Sequence, residues 1–366
     1  MMSIPVAEFN ERIKKVQAAM RKESYDALIS YFTPDVRYLS NFAPFPDTVD
    51  AIVVMKSEGE PTLLIDQEWD LERARDMSSI PDTRVAPDLG KGVGEILTRN
   101  DYQGKLGIAG WSRFPTPIYL SLTTRVPAAQ VEDASAMMQN IRMVKSSSEI
   151  DLLKEAAKIT DAGAEAATDA IRMGKTEFEI AAAAETAMKE AGSEGVSFTT
   201  VVGSGLRTNL IVPLPTRRKP KKGEFVLMDL GGMCEGYHGD ISRTKHVGGI
   251  SSAQRDLFET VSQMHEEARK AVKPGKRAFE IHEVARKVAR EAGYGDLPSN
   301  FTGHSLGLEE HERPILETET RELEPGMVIT IEPGLYAQGT GGVRIEDTVL
   351  VNESGHKLLT HYDRDF

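Results

Sequence analysis

The chain is poor in cysteine, in aromatic residues and in long apolar runs, and each shortage removes a class of explanation. Cys234 is the only cysteine among 366 residues, so no intrachain disulfide can form and no thiolate cluster can hold zinc. A lone thiol fits a reducing compartment, and a cytoplasmic location is expected. No apolar stretch reaches the roughly 18 residues that a membrane-spanning helix needs. The opening segment MMSIPVAEFNERIKK has no apolar signal core. Basic charge is short as well: 44 Lys and Arg face 56 Asp and Glu, a net charge of −12. That balance argues against nucleic acid or an anionic membrane as the main partner. The run Arg217, Arg218, Lys219, Lys221, Lys222 is a local exception and reads as a solvated loop. What remains is an ordinary globular composition, 40% hydrophobic and 27% charged, in a chain long enough for two domains.

The first part of the chain alternates helical and strand patterns. Phe9, Ile13, Val16 and Met20 recur at helical spacing, which predicts an amphipathic helix over 8–23. DALISYF, AIVVMK, PTLLID and KLGIAG read as strands. Together they predict an α/β domain built on a mixed sheet over residues 1–140, with no acid/base constellation of its own. The texture changes near IRMVKSSSEIDLLKEAAKI, where serines precede Glu149 as a capped helix start would require. A second domain is expected over 141–366.

That second domain contains an internal repeat. AIRMGKTEFEIAAAAETAMKEAG (170–192) matches AVKPGKRAFEIHEVARKVAREAG (271–293), with Gly174 over Gly275, Phe178 over Phe279, Glu179 over Glu280 and Gly192 over Gly293. In each copy a glycine closes one helix and FEI opens the next. Thr176 and Glu179 are spaced as a capping box. Each helix pair leads to a glycine and a strand, Gly223 before EFVLMDL and Gly326 before MVITIEP, with Asp229 and Glu332 each six residues after the glycine. A second carboxylate follows on a returning strand, Asp240 in the first half and Glu346 in the second. Two halves related by a pseudo-two-fold would bring four carboxylates to one centre as cross-strand neighbours.

A carboxylate in a buried strand is costly unless a cation or partner satisfies it. Asp229, Asp240, Glu332 and Glu346, with His304 present only in the second half, make a set of five oxygen-rich ligands. That set calls for two divalent ions and suits Mn²⁺, Fe²⁺, Co²⁺ or Zn²⁺, since a soft site would use thiolates; Mn²⁺ or Co²⁺ is the expectation, with Zn²⁺ or Fe²⁺ as alternatives. Such ions lower the pKa of bound water and polarise a carbonyl, which makes amide hydrolysis the natural chemistry. Glu332 and His311 are the candidates to move protons there. His311 lies seven residues after His304, although its acidic flanks, Glu309, Glu310 and Glu312, also suit a surface loop. His238 sits two residues before Asp240, on the same face if the strand alternates through both.

The segments MDLGGMCEGYHGDISRT, GHSLGLEEHERP, GMVITIEPGLY and GGVRIEDTVLV resemble the pita-bread metallopeptidase family: prolidase, aminopeptidase P, methionine aminopeptidase and the non-metal relative creatinase. DALISYFTPDVRYLSNF is similar to the creatinase/prolidase N-terminal domain, so the resemblance spans nearly the whole chain. It implies an α+β fold with a creatinase-like mixed-sheet domain followed by a pseudo-symmetric curved antiparallel sheet backed by helices. By the same resemblance Asp229 would bind one metal, Asp240 and Glu346 would bridge both, and His304 and Glu332 would complete the second. Glu332 would also act as general base, His311 would hydrogen-bond the substrate carbonyl or tetrahedral intermediate, and Arg344 would brace the site. A homodimer acting on an Xaa-Pro dipeptide is implied as well.

One position departs from the family. Its peptidases carry a Pro-His-Gly-like segment before the first metal strand, and Val212 stands where that histidine would align in GSGLRTNLIVPLPTRRKPKKGE. No histidine precedes His238. An isopropyl group there removes a hydrogen-bond partner and leaves an apolar wall against substrate. This raises two alternatives: the same metal site working on a non-peptide amide or a lyase substrate, and a non-catalytic binding module on a retired scaffold. Retention of all five ligands speaks against the module.

Overall fold

The computed structural model describes residues 4–97 and 102–364. Residues 1–3 of the opening segment lie outside the described residues. The chain forms two compact units, one ending at Arg142 and one beginning at Met143.

The N-terminal unit is a six-stranded mixed sheet, in the order 83–85, 62–65, 51–56, 27–30, 105–109, 130–133. Ala27–Ser30 runs antiparallel to Ala51–Lys56 and parallel to Lys105–Ala109. The helix expected over 8–23 runs Val6–Lys22 and buries Phe9, Ile13, Val16 and Met20, the residues whose spacing announced it. Inside this unit Arg142 donates to Asp35 at 2.6 Å, both buried.

The second unit repeats one plan twice. The helix Ser147–Arg172 starts at a capping box made by Ser146 and Glu149, and Glu177–Glu190 starts at another made by Thr176 and Glu179. The second pair is Ser252–Ala271 and Ala278–Glu291. Gly174, at φ 68°, directly follows the Met173 cap in the left-handed conformation that ends a helix and that glycine adopts without strain. The second copy departs from this, since its helix stops at Ala271 with an extended Val272 cap and Gly275, at φ 77°, lies in the turn beyond. The first half then builds the antiparallel sheet Val201–Ser204, Glu224–Leu230, Ile241–Val247. The second half builds a five-stranded sheet in which Val328–Ile331 pairs with Asp347–Asn352. Each half also inserts a short hairpin between its two carboxylate-bearing strands: Met233–Cys234 with Tyr237–His238, and Gly334–Ala337 with Gly341–Arg344.

Strand alternation divides these sheets into two faces. Val226, Met228 and Leu230 pack with Ile159, Ile171 and Ile180 of the helices. Ile329, Ile331, Val349 and Val351 pack in the same way with Leu257, Val261 and Ile281. The intervening residues, Asp229 in one half and Thr330 and Glu332 in the other, therefore face away from the helices. The halves are joined where Glu346 N donates to Ser242 O at 3.1 Å and Arg344 N donates to Thr244 Oγ1 at 3.0 Å.

The register corrects one expectation. Glu332 and Glu346 follow and precede the paired residues Ile331 and Asp347, so they are cross-strand neighbours. Asp229 instead pairs with Ser242, which leaves Asp240 beside Gly231 rather than opposite Asp229. The alternation argument for His238 also fails, because its strand ends at His238 before Asp240 is reached. The basic run 217–222 is mostly exposed, but Arg218 bonds Glu224 at 2.5 Å and Ser204 at 2.5 Å.

At Gly231 the chain leaving Glu224–Leu230 runs hard against the chain entering Ile241–Val247, since a Cβ there would press into the Gly239 carbonyl and lie 2.9 Å from Ser197 Cβ. Backbone cannot give way as a flexible side chain does. Gly231→Ala is expected to destabilise the second unit by about 1–3 kcal/mol and to weaken divalent-cation binding by parting Asp229 from Asp240. Thermal unfolding with and without cation checks this, and an unchanged melting temperature would contradict it.

Candidate metal centre

A cleft of about 640 Å³ opens on the polar face of the second unit, lined by Asp229, Asp240, His304, His311, Glu332, Arg344 and Glu346 together with the apolar Phe198, Ile211, Val212, Leu214 and Phe301. Ligand atoms of Asp240, His304 and Glu346 lie within 4.8 Å of one another, and all three residues are buried. Glu332 joins them through Oε1, 3.1 Å from His304 Nε2, while Asp240 Oδ2 is 3.7 Å from the same nitrogen. Asp229 enters from the first half and is held by Arg344, whose Nη2 donates to Oδ2 at 2.5 Å.

Each of these side chains is fixed by a second contact. His304 Nδ1 is 3.0 Å from Ser305 O, which holds a proton on Nδ1 and turns Nε2 toward the carboxylates, where it meets Glu332 and would offer its lone pair to a cation once deprotonated. Thr330 Oγ1 donates to Glu332 Oε1 at 3.1 Å, and Asn300 Nδ2 donates to Oε2 at 3.0 Å. Ser242 Oγ donates to Glu346 Oε2 at 2.8 Å and accepts from Arg344 Nε at 2.8 Å. Arg344 Nη1 donates to Tyr336 OH and to Ile211 O, both at 2.9 Å. Arg344 thus ties one carboxylate of each half, Asp229 directly and Glu346 through Ser242.

His311 comes to the cleft with its ring centroid 4.1 Å from that of His304 and 5.6 Å from Phe301, and its Nδ1 is 3.3 Å from Glu310 Oε1. It sits over the cluster without joining the metal-ligand group. Val212 is 61% exposed on the cleft wall. His238 is tied to the turn between the two histidines, its backbone N donating to Gly307 O at 2.8 Å.

Several residues at the site had gone unread in the sequence. Ser242 and Thr330 stand two residues from Asp240 and Glu332, so alternation alone could have flagged them. Tyr336, Asn300 and Glu310 arrive from neighbouring loops and strands, and no spacing pointed to them.

The electrostatics describe a centre that is short of positive charge. Burial, then the charges of Glu346 and Asp229, push Asp240 well above the usual carboxylate range. Burial, then Glu332 and Asp229, do the same to Glu346. Asp229 is also raised by burial, against the pull of Arg344. Burial works to raise Glu332 too, but the hydrogen bond and charge of His304 outweigh it and hold this carboxyl low. Burial and the neighbouring His304 push His311 down to about 4, so its imidazole is neutral near pH 7. Glu310 is pushed up to about 7 by burial and by Asp229.

Asp229 Oδ1 and Glu346 Oε1 are buried and accept no hydrogen bond. Buried anionic oxygens without donors, beside a directed imidazole, are a donor set that fits divalent cations. Stripping the protein with a chelator is therefore expected to lower its melting temperature, and Mn²⁺ or Co²⁺ is expected to restore it. The recovery should correspond to about 4 kcal/mol at a thousandfold excess over Kd. Identical melting curves with and without chelator would contradict the fit.

Comparison with known proteins places the same two regions. The profile of metallopeptidase family M24 matches residues 151–353, and that of the creatinase/prolidase N-terminal domain matches residues 12–144. An Xaa-Pro dipeptidase of Pyrococcus horikoshii is 34% identical over 357 residues, covering 97% of this chain and 98% of that protein. The crystal structure of the prolidase from Pyrococcus horikoshii superimposes with a TM-score of 0.89 at 32% identity, covering 97% of this chain and 99% of the other. The recombinant prolidase from Thermococcus sibiricus gives 0.90 at 29% identity, covering 100% of this chain and 99% of the other. With a family profile over more than half its length and a relative matched over 97% of it, the chain belongs to metallopeptidase family M24.

Proposed function

We propose that this protein is a dinuclear metal-dependent dipeptidase that cleaves Xaa-Pro dipeptides. The observation that carries the reading is the convergence of Asp240, His304 and Glu346, with Asp229 and Glu332 beside them, at the base of a cleft of about 640 Å³. The names of relatives matched over nearly the whole chain, Xaa-Pro dipeptidase and prolidase, favour a peptide over the non-peptide amide or lyase substrate that Val212 brings to mind. Asp229, Asp240, His304, Glu332 and Glu346 would hold two divalent ions, Mn²⁺ or Co²⁺ in preference to Zn²⁺ or Fe²⁺. When bound, such ions acidify water and polarise a carbonyl.

The chain's own residues do the rest. Glu332 takes a proton from the attacking water and passes it toward the leaving nitrogen, with Asn300 and Thr330 fixing its carboxylate. His311, neutral and mounted above His304, donates a hydrogen bond to the substrate carbonyl oxygen as it gains charge. Arg344 holds Asp229 and the Ser242–Glu346 pair in place, so the ligands keep their spacing when substrate enters. Val212, with Phe198, Ile211 and Leu214, offers an apolar wall where a dipeptide side chain or ring can rest. We assign residues 1–140 to a domain without chemistry and 141–366 to the catalytic domain. The working protein is proposed to be a cytoplasmic homodimer. Among the described residues no helix is long and apolar enough to cross a membrane.

Mn²⁺- or Co²⁺-loaded protein should hydrolyse Xaa-Pro dipeptides in a panel assay, and no turnover of any dipeptide by fully loaded protein would sink the reading. Glu332→Gln should lower kcat by about 10²–10⁴-fold, the usual worth of a general base, and Val212→His should raise kcat/KM by up to about tenfold, one added hydrogen bond's worth. No gain from Val212→His would point instead to the non-peptide amide.

A further inference from the structure

The residues that follow the two cleft histidines meet on the far side of the same ribbon. Ser305 follows His304, and Glu312 follows His311. In the antiparallel pairing of His304–Ser305 with Glu312–Ile315, Ser305 stands opposite Glu312. The two imidazoles line the cleft, whereas Ser305 and Glu312 are buried beside Lys145 and are not among the residues that line it.

A single ammonium group joins that serine and glutamate. Lys145 Nζ donates to Glu312 Oε2 at 2.9 Å, to Ser305 Oγ at 3.0 Å and to Met143 O at 3.2 Å, which uses all three of its protons. The Lys145 and Glu312 side chains are only 1% and 5% exposed. The other Glu312 oxygen, Oε1, accepts from Leu308 N at 3.1 Å and Glu309 N at 3.3 Å, so one carboxylate holds the turn between the histidines as well as the lysine. Ser305 Oγ donates to Val328 O at 2.8 Å, which ties the ribbon to the strand leading to Glu332. Gly307 completes the arrangement: a Cβ there would lie 2.8 and 2.9 Å from the two Glu312 oxygens. Lys145 is itself anchored, its backbone N donating to Gly326 O at 3.0 Å.

We infer that Lys145 is a positioning residue for the cleft: through Ser305 and Glu312 it sets the spacing between the His304 and His311 rings. A buried ion pair contributes little net stability over an apolar pair of the same volume, whereas it fixes geometry strictly because each charge needs its partner. The position of the pair suits that task. It is not among the residues that line the cleft, yet Lys145 grips Ser305 and Glu312, the residues next after the two imidazoles. A displacement of His311 by a fraction of an ångström would leave the cations bound and weaken the hydrogen bond to the substrate oxygen, an effect on turnover rather than on binding.

The test removes both charges together, in Lys145→Met/Glu312→Gln, so that no ion is stranded. The activity arm rests on the dipeptidase reading, and the spectroscopic arm does not. In Mn²⁺-loaded full-length enzyme the double variant should keep its metal stoichiometry and a KM within about threefold, while kcat on an Xaa-Pro dipeptide falls by about tenfold or more. In Zn²⁺-loaded protein the ¹⁵N imidazole signals of His311 and His304 should shift. If the double variant does not fold, Ser305→Ala takes its place, since it keeps the ion pair and removes only the hydroxyl that links Lys145 to the His304 strand. The same signals should move in it. Imidazole signals that superimpose on those of the unaltered protein, in whichever variant folds, would overturn the inference. Wild-type protein inactive on every dipeptide would defeat the dipeptidase reading and leave the spectroscopic result standing.

Discussion

Mutual repulsion among four carboxylates in one low-dielectric pocket is the constraint on which this molecule is built. Asp229, Asp240, Glu332 and Glu346 cannot all be ionised together at that spacing without a counter-charge, and burial sharpens the conflict. The protein supplies part of the answer itself. Arg344 pairs with Asp229; burial works against its charge, but Tyr336 and the carboxylates of Asp229, Glu332 and Glu346 outweigh it and keep it protonated. His304 is bound to Glu332. The two oxygens left without donors, on Asp229 and Glu346, mark where further positive charge must sit. Cation binding is then a condition of a relaxed site as well as of chemistry.

The scaffold makes that arrangement possible by keeping the charges on one face. Helices cover the opposite face of each carboxylate-bearing strand with Val226, Met228 and Leu230 in one half and Ile329, Ile331, Val349 and Val351 in the other. A continuous apolar layer on one side and a polar layer on the other follow from strand alternation alone. The duplicated plan, helix pair and then strand with carboxylate, brings the two polar layers edge to edge, where Ser242, Thr244, Arg344 and Glu346 bond across the join.

The parts legible in the sequence were those governed by local rules. The capped helix start at Ser146, the capping box at Thr176–Glu179 and the helix end at Gly174 depend on a few consecutive residues and appear in the structure where they were read, whereas the helix before Gly275 stops earlier, at Ala271. The α+β architecture and the family were legible because the carboxylate segments keep their flanks as well as their ligands. Features set by register were not legible. Asp229 opposite Ser242 rather than Asp240 depends on how two strands align and on a hairpin inserted between them. Tyr336, Asn300 and Lys145 reach the site from far away in sequence, and a tyrosine, an asparagine and a lysine in ordinary surroundings carry no pattern that announces this.

The central claim is that these five side chains hold two divalent cations in the cleft of the second unit. Anomalous scattering from crystals grown with Mn²⁺ tests it most directly. The account predicts two peaks per chain, both touching Asp240 and Glu346, with Asp229 at one and His304 and Glu332 at the other. A cleft that binds no cation, or a single peak that leaves Asp229 without contact, would contradict it.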